Sequence, residues 1–302
     1  GYYNLAYYYL ETGYLNKAEE TIKEVLELDK TGFFKNSLLG LSLYGFVFIM
    51  KQDYIKARKI FNNRIKSKGE DKIGLLGLAH IAIALKDYDK ATYYYNKLKN
   101  KPRPKLIWNS YFYYFELLGL AWIAANKHNH EEAIFYYRKI LKEDAINVFA
   151  LLGMGNAYNW LKDYAKAEFY LKKVLKIDKD NEYALSELGI VYLNLRNREK
   201  AEDLFKRSLK INSKTYTCPY EGLGLLYLEE GDQVKAQENF EKAIEINPDI
   251  EYRKYNGLAT VYIKQGKYDL AKKLLNKSLE NYPYDTIEAE ELLDQIDYLV
   301  HN

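Results

Sequence analysis

The feature that most constrains this chain is a pair of small residues, twelve positions apart, that recurs eight times. The later member is always alanine: Ala18, Ala57, Ala91, Ala133, Ala167, Ala201, Ala236 and Ala271. The earlier member is glycine or alanine: Ala6, Gly45, Ala79, Ala121, Gly155, Gly189, Gly224 and Ala259. Successive alanines are 39, 34, 42, 34, 34, 35 and 35 residues apart. A period of this size marks stacked supersecondary units, none of which buries its apolar face alone. Two small residues at a fixed separation allow the helices of a hairpin to approach closely where they cross. A larger side chain there would force the backbones apart.

Large side chains surround each pair. Three residues after the first small position stand Tyr9, Phe48, Tyr158, Tyr192, Tyr227 and Tyr262, with Ala82 and Ala124 as exceptions. Four residues after each alanine stand Ile22, Phe61, Tyr95, Tyr137, Leu171, Phe205, Phe240 and Leu275. A turn phrase precedes each alanine, as in Asp53-Tyr54-Ile55-Lys56-Ala57 and Asp163-Tyr164-Ala165-Lys166-Ala167. Pro248 and Pro283 close the last two units, where a helix has to stop.

These residues resemble the tetratricopeptide repeat (TPR) family, whose 34-residue unit runs Leu-Gly-x-x-Tyr, then Ala, then Phe or Tyr, then Pro. The clearest copies are Leu188-Gly189 to Tyr192 with Ala201 and Phe205, and Leu223-Gly224 to Tyr227 with Ala236, Phe240 and Pro248. The resemblance implies an all-α fold, a right-handed α-solenoid of helix–turn–helix repeats. A single array is expected over residues 1–283, followed by a capping helix over 285–302. For the cap, Asp285-Thr286-Ile287-Glu288 reads as a capping box, and Leu292, Leu293, Ile296, Leu299 and Val300 form one apolar stripe. The two long spacings place inserts near Thr31 to Asn36 and at Lys101-Pro102-Arg103-Pro104-Lys105. The second insert predicts a loop, then a lengthened first helix that takes in Trp108 and Tyr111 to Phe115. Gly1 falls at about the third position of its repeat, which leads to the expectation of native residues upstream.

Composition narrows the function. Lys and Arg total 45 against 42 Asp and Glu, a net charge of +3, a weak excess that gives a nucleic-acid partner no support and fits a solvated mixed-charge surface. No apolar run reaches the ~18 residues of a membrane span. The best, Leu38 to Met50, is broken by Gly40, Ser42 and Gly45. No signal peptide is visible. One cysteine, Cys218, rules out a disulfide framework within the chain. It slightly favours the cytoplasm but equally fits a secreted chain without disulfides.

Chemistry is hard to find. His128-Asn129-His130-Glu131 has the look of a metal cluster, yet it occupies a turn where other copies carry Lys-Asp-Tyr, with no third ligand in reach by sequence. Gly153-Met154-Gly155 and Gly222-Leu223-Gly224 begin a dinucleotide fingerprint but lack its third glycine and a preceding strand. They read as packing glycines. No catalytic, cofactor or metal site is expected, and the chain reads as a binding protein rather than an enzyme.

In the TPR family the first helix of each repeat lines the concave face. The resemblance therefore implies lining positions six and three before the first small residue, then one, four and five after it. The candidate partner-binding residues are Tyr3, Tyr7, Phe46, Met50, His80, Phe115, Trp122, Phe149, Asn156, Trp160 and Tyr183. Leu39, Ile49, Ile73, Leu76, Ile83, Leu118, Leu152 and Asn159 fill out the same face. Its last two repeats are more polar, with Glu221, Glu229, Arg253, Asn256, Thr260 and Lys264. The implied ligand is a protein or peptide with apolar anchors. Family members that clamp a C-terminal carboxylate use Lys, Asn and Arg on the groove helices. Here Tyr7, Phe46, His80, Trp122, Asn156, Ile190, Leu225 and Thr260 hold the position after the small residue, and none is Lys or Arg.

Three alternatives remain open. The chain could be a homo-oligomeric assembly protein in which the groove or an end repeat accepts a second copy. It could be a regulatory TPR segment of a larger protein truncated upstream. A helical-repeat RNA binder, with some of the 32 tyrosines stacking on bases, is disfavoured by the charge.

Overall fold

A computed structural model describes residues 15–28, 38–98, 109–214, 216–248, 253–281 and 286–301. The expectations placed on Tyr3, Tyr7, the insert near Thr31 and residues 101–108 lie outside these segments. The described residues are all-helical apart from turns, and no strand occurs among them.

Two compact units divide the chain, residues 1–140 and 141–302. The first holds α1 (Leu15–Leu28), α2 (Leu38–Met50), α3 (Tyr54–Lys68), α4 (Lys72–Ala84), α5 (Tyr88–Leu98), α6 (Asn109–Asn126) and most of α7 (His130–Glu143). In the second unit follow α8 (Val148–Trp160), α9 (Tyr164–Ile177), α10 (Glu182–Asn194), α11 (Arg198–Ile211) and α12 (Cys218–Glu230). It ends with α13 (Gln233–Ile246), α14 (Arg253–Lys264), α15 (Tyr268–Asn281) and α16 (Ile287–His301). In the first unit α2 pairs with α3 and α4 with α5, and in the second α8 pairs with α9, α10 with α11, α12 with α13 and α14 with α15, each of these hairpins packing on the next in its unit.

The eight alanines at the second-helix crossing are all fully buried. What fills the contact is the large residue four positions on, and it serves two repeats at once. A Cβ added to Gly189 would sit 2.6 Å from the Phe205 ring, and one added to Gly222, in the next repeat, 2.2 Å from it. Phe240 is held in the same way between Gly224 and Gly257, at 2.8 and 2.4 Å. Phe61 lies between Gly45 and Gly77, at 2.7 and 2.3 Å. The Gly222-Leu223-Gly224 string therefore supplies the floors of two neighbouring ring sockets, whereas Gly155 makes room for Leu171.

Each hairpin whose turn is described reverses through one residue five positions before the alanine. Gln52, Lys86, His128, Lys162 and Arg196 take φ of 58 to 62°, where Gly231 and Gly266 take 82 and 71°. This left-handed residue reverses the chain, and the next one caps the second helix. Asp53, Asp87, Asn129, Asp163, Asn197 and Asp232 each accept a hydrogen bond from a backbone N–H three residues on.

The lengthened first helix is present: α6 has 18 residues, against 13 in α8 and α10. The last helix, α16, spans Ile287 to His301, with Ala289 and Ile296 buried in one cluster with Ala259, Ile263 and Leu275, against which Leu292 and Leu293 pack. Its expected stripe is shorter than the sequence suggested, because Leu299 and Val300 stay 42 and 54% exposed. Asp285, the first residue of the expected capping box, lies outside the described residues.

Candidate protein-binding surface

In the first unit the inner positions differ sharply in exposure. Met50, at the end of α2, and Trp122, near the end of α6, are 48 and 38% exposed. Trp122 stands edge-on to Tyr88, with ring centroids 5.4 Å apart. Phe46 and His80 are half-buried and touch each other, 6.0 Å apart and edge-on. Phe46 also meets the Phe61 ring at 5.1 Å, and His80 meets Tyr95 at 6.4 Å. These two side chains thus pack partly into the core. Ile73 and Leu76, read from the sequence as lining, are core residues at 6 and 0% exposure. The backbone of Phe115 lies in the first half of α6.

The second unit displays larger aromatic surface. Phe149 is 67% exposed on the first turn of α8, and Tyr183 is 48% exposed on the first turn of α10. Tyr183 rests on Tyr216 at 4.6 Å, and burial holds the Tyr216 hydroxyl well above its usual pKa. Trp160, at the end of α8, is 39% exposed and carries the Arg253 guanidinium over its ring at 4.7 Å. Trp160 belongs to the fifth repeat and Arg253 to the eighth, so this contact reaches across three repeats. Asn156 Nδ2 donates to Glu187 Oε2 at 3.0 Å, and Asn194 Nδ2 donates to Asn159 Oδ1 at 2.9 Å. Polar side chains of successive first helices are thereby tied together.

Two of the polar positions read as lining in the last repeats are interior. Glu221 is 3% exposed and Asn256 is fully buried, its Nδ2 donating to Glu288 of α16 at 3.0 Å. A helix face three residues before the small position turns toward the neighbouring repeat as much as toward the inner surface.

Sequence reasoning passed over a second group of exposed aromatics, two residues after the alanines on second helices. Tyr93 and Phe135 in the first unit are 51 and 52% exposed, and Phe169 in the second is 53%. Each lies under a lysine four residues on: Lys97 at 4.8 Å, Lys139 at 4.2 Å and Lys173 at 4.6 Å. The aromatic-x-x-x-Lys spacing was the signal available.

The histidine-rich turn carries no metal geometry. His128 adopts the left-handed turn, Asn129 caps α7, and His130 is 7% exposed, with burial lowering its pKa. Among the described residues no group of three or more His, Cys, Asp or Glu side chains converges on a metal position. No described helix is long and apolar enough to cross a membrane.

Three segments match family models: residues 1–31 and 227–296 match tetratricopeptide repeat models, and residues 114–256 match the C-terminal ARM domain of tetratricopeptide repeat protein 21. No curated protein matches the sequence significantly. Among solved structures, the APC/C hetero-tetramer Cut9–Hcn1 aligns over 93% of this chain at 19% identity and a TM-score of 0.69. The chain spans 52% of that chain's length. A tetratricopeptide repeat protein from Parabacteroides merdae aligns over 86% of this chain and 98% of its own, at 19% identity and a TM-score of 0.64. A thermophilic TPR protein of Thermus thermophilus aligns over 60% of this chain and 97% of its own, at 19% identity and a TM-score of 0.54. At these identities the structural likenesses concern the fold.

Proposed function

The chain belongs to the tetratricopeptide repeat family, and from that premise we propose that it captures a protein or peptide segment with apolar anchors on the inner faces of its first helices. The family's repeat fold is generally a protein-interaction scaffold. The observation that carries the finer reading is the exposure of Phe149, Trp160 and Tyr183 at inner register positions of the second unit. Trp122 and Met50 hold such positions in the first. Large aromatic side chains kept at a surface are costly to hydrate and contribute strongly when covered. A soluble chain that retains them at a repeated register is built to have them covered.

The reaction class expected of such a surface is binding alone. The ligand's apolar side chains would cover Trp122 or Phe149, and the Asn156–Glu187 and Asn159–Asn194 pairs offer amide and carboxylate groups to a peptide backbone. At Trp160 the incoming side chain competes with Arg253 for the ring.

Selection of a displayed random-peptide library on the intact chain tests this. Recovered peptides should be rich in apolar anchors. Trp122→Ala or Trp160→Ala should weaken them about tenfold or more, with helical content retained. Peptides that bind both variants as tightly as the parent would show the surface to be misassigned.

A further inference from the structure

A net charge of +3 conceals a steep local asymmetry. Helix α3 carries six Lys and Arg residues and no acid, whereas α16 carries five Asp and Glu residues and no Lys or Arg. Within α3, Lys56 pairs with Asp53 and Arg64 with Asp71. Arg58 and Lys59 are exposed and make no ion pair among the described residues. They border a cavity of about 780 Å³ together with Ile55, Leu85, Lys51, Asn62 and Asp53, whose carboxylate is paired with Lys56. Ile55 is 86% exposed, the most of any large apolar side chain described, and Leu85 is 46% exposed. With Lys51 paired to Glu19 and Asp53 to Lys56, the charges left over beside this apolar floor are the cations Arg58 and Lys59, which call for an apolar side chain flanked by carboxylates.

The chain itself presents that pattern. Ile287 is 70% exposed, second only to Ile55. Glu291 and Asp294 follow it at four and seven residues, which places all three on one face of α16. Both acids are exposed and unpaired among the described residues, unlike Glu288, bonded to Asn256, and Asp297, paired with Lys272.

We propose that the cavity at the start of α3 receives α16 of a second copy of this chain. Ile287 enters against Ile55 and Leu85, while Glu291 and Asp294 face Arg58 and Lys59. A cavity of this volume accommodates a few side chains rather than a whole helix, as such an edge-on contact requires. The two surfaces lie on different elements, so two copies can make the contact reciprocally or pass it head to tail from copy to copy.

Light scattering and sedimentation of the full chain decide the matter. The expected result is a mass above 35.6 kDa that rises with concentration and falls with added salt. Arg58→Glu with Lys59→Glu, and separately Glu291→Lys with Asp294→Lys, should each return the mass to that of a single chain with unchanged circular dichroism. Mixing the two charge-reversed chains should restore association, because each then supplies the complement of the other. A parent chain of single-chain mass at every concentration overturns the proposal and leaves the cavity to an acidic segment of another protein. Association that persists in both variants places the contact elsewhere and overturns it equally.

Discussion

The Tyr192 hydroxyl on α10 donates to Glu168 Oε1 on α9 at 2.7 Å, joining the first helix of one repeat to the second helix of the repeat before it. The same carboxylate takes the Lys172 ammonium at 2.5 Å, and Lys200 lies over the Tyr192 ring at 4.9 Å. Tyr227, Glu202 and Lys206 repeat the arrangement one unit on, with the hydroxyl 2.8 Å from the carboxylate. Tyr192→Phe should lower unfolding free energy by about 1 kcal/mol in urea titration, the usual net worth of such a bond. The combined Tyr192→Phe and Glu168→Gln chain should lose less than the sum of the two single losses.

The same carboxylates set an acid limit. The Lys172 ammonium, followed by the Tyr192 hydroxyl, holds the Glu168 carboxyl below its ordinary range. Lys23 and then Lys51 hold Glu19 at about 2, against an ordinary 4.5. A folded-state pKa depressed in this way contributes stability that is present above the unfolded value and lost as pH falls through the folded one. Thermal midpoints measured from pH 6 downward should therefore drop below about pH 4.5 and keep dropping toward about 2. Glu19→Gln should flatten that decline. An equally steep decline in that variant would remove Glu19 from the account.

Gly222→Ala tests the shared ring socket. A methyl group there would meet Phe205 at 2.2 Å, on a ring already closed on its other side by Gly189. Overpacking of this kind costs about 1–3 kcal/mol. Shortening the ring with Phe205→Leu in the same chain should recover part of that loss, although the single Phe205→Leu change is destabilising through the cavity it leaves. Chemical denaturation of the three chains gives the comparison.

Lys162→Gly should stabilise the second unit. Lys162 holds φ at 60° in the turn between α8 and α9, a region that costs a non-glycine residue about 1 kcal/mol or more. Glycine gives back some of this through its freer unfolded chain, so a net gain of about 0.5 kcal/mol is expected. The converse, Gly231→Ala at φ 82°, should destabilise by about 1 kcal/mol in the same assay.

Glu116→Gln strikes a buried ion pair. Lys72 Nζ lies 2.6 Å from Glu116 Oε2, with both side chains about nine-tenths buried. Removing one charge strands the other, at a cost of about 3–5 kcal/mol. Replacing both residues with leucine should be far milder. A single variant as stable as the parent in thermal melts would mean the pair is solvated in solution.

Much of this was legible in the sequence because close packing leaves few options. At the two crossings only small residues leave room for Phe205 or Phe240, so the period shows in the letters themselves. The exposure of Phe149, Trp160 and Tyr183 followed from that register, since position around the helix decides which way a side chain faces. Other features left no such trace. Lys72 and Glu116 stand 44 residues apart in a chain full of charges, and nothing local marks them as partners. Glu221 and Asn256 share the register of the inner surface yet are buried, because the adjoining repeat covers that edge of the helix. The left-handed residues at Lys86, Lys162 and Arg196 are hidden by their chemistry, although Gly231 and Gly266 at the same register point to them.

The socket around Phe205 also fixes where such a chain can be cut. Its ring is supplied by one repeat and floored by a glycine of the next, so a break in the connecting loop leaves an open aromatic face behind. A truncation that ends on a second helix should therefore turn sticky, whereas one that keeps the following first helix should stay dispersed. For this protein the smallest piece that can be lifted out cleanly starts and finishes out of phase with the repeat as the letters spell it.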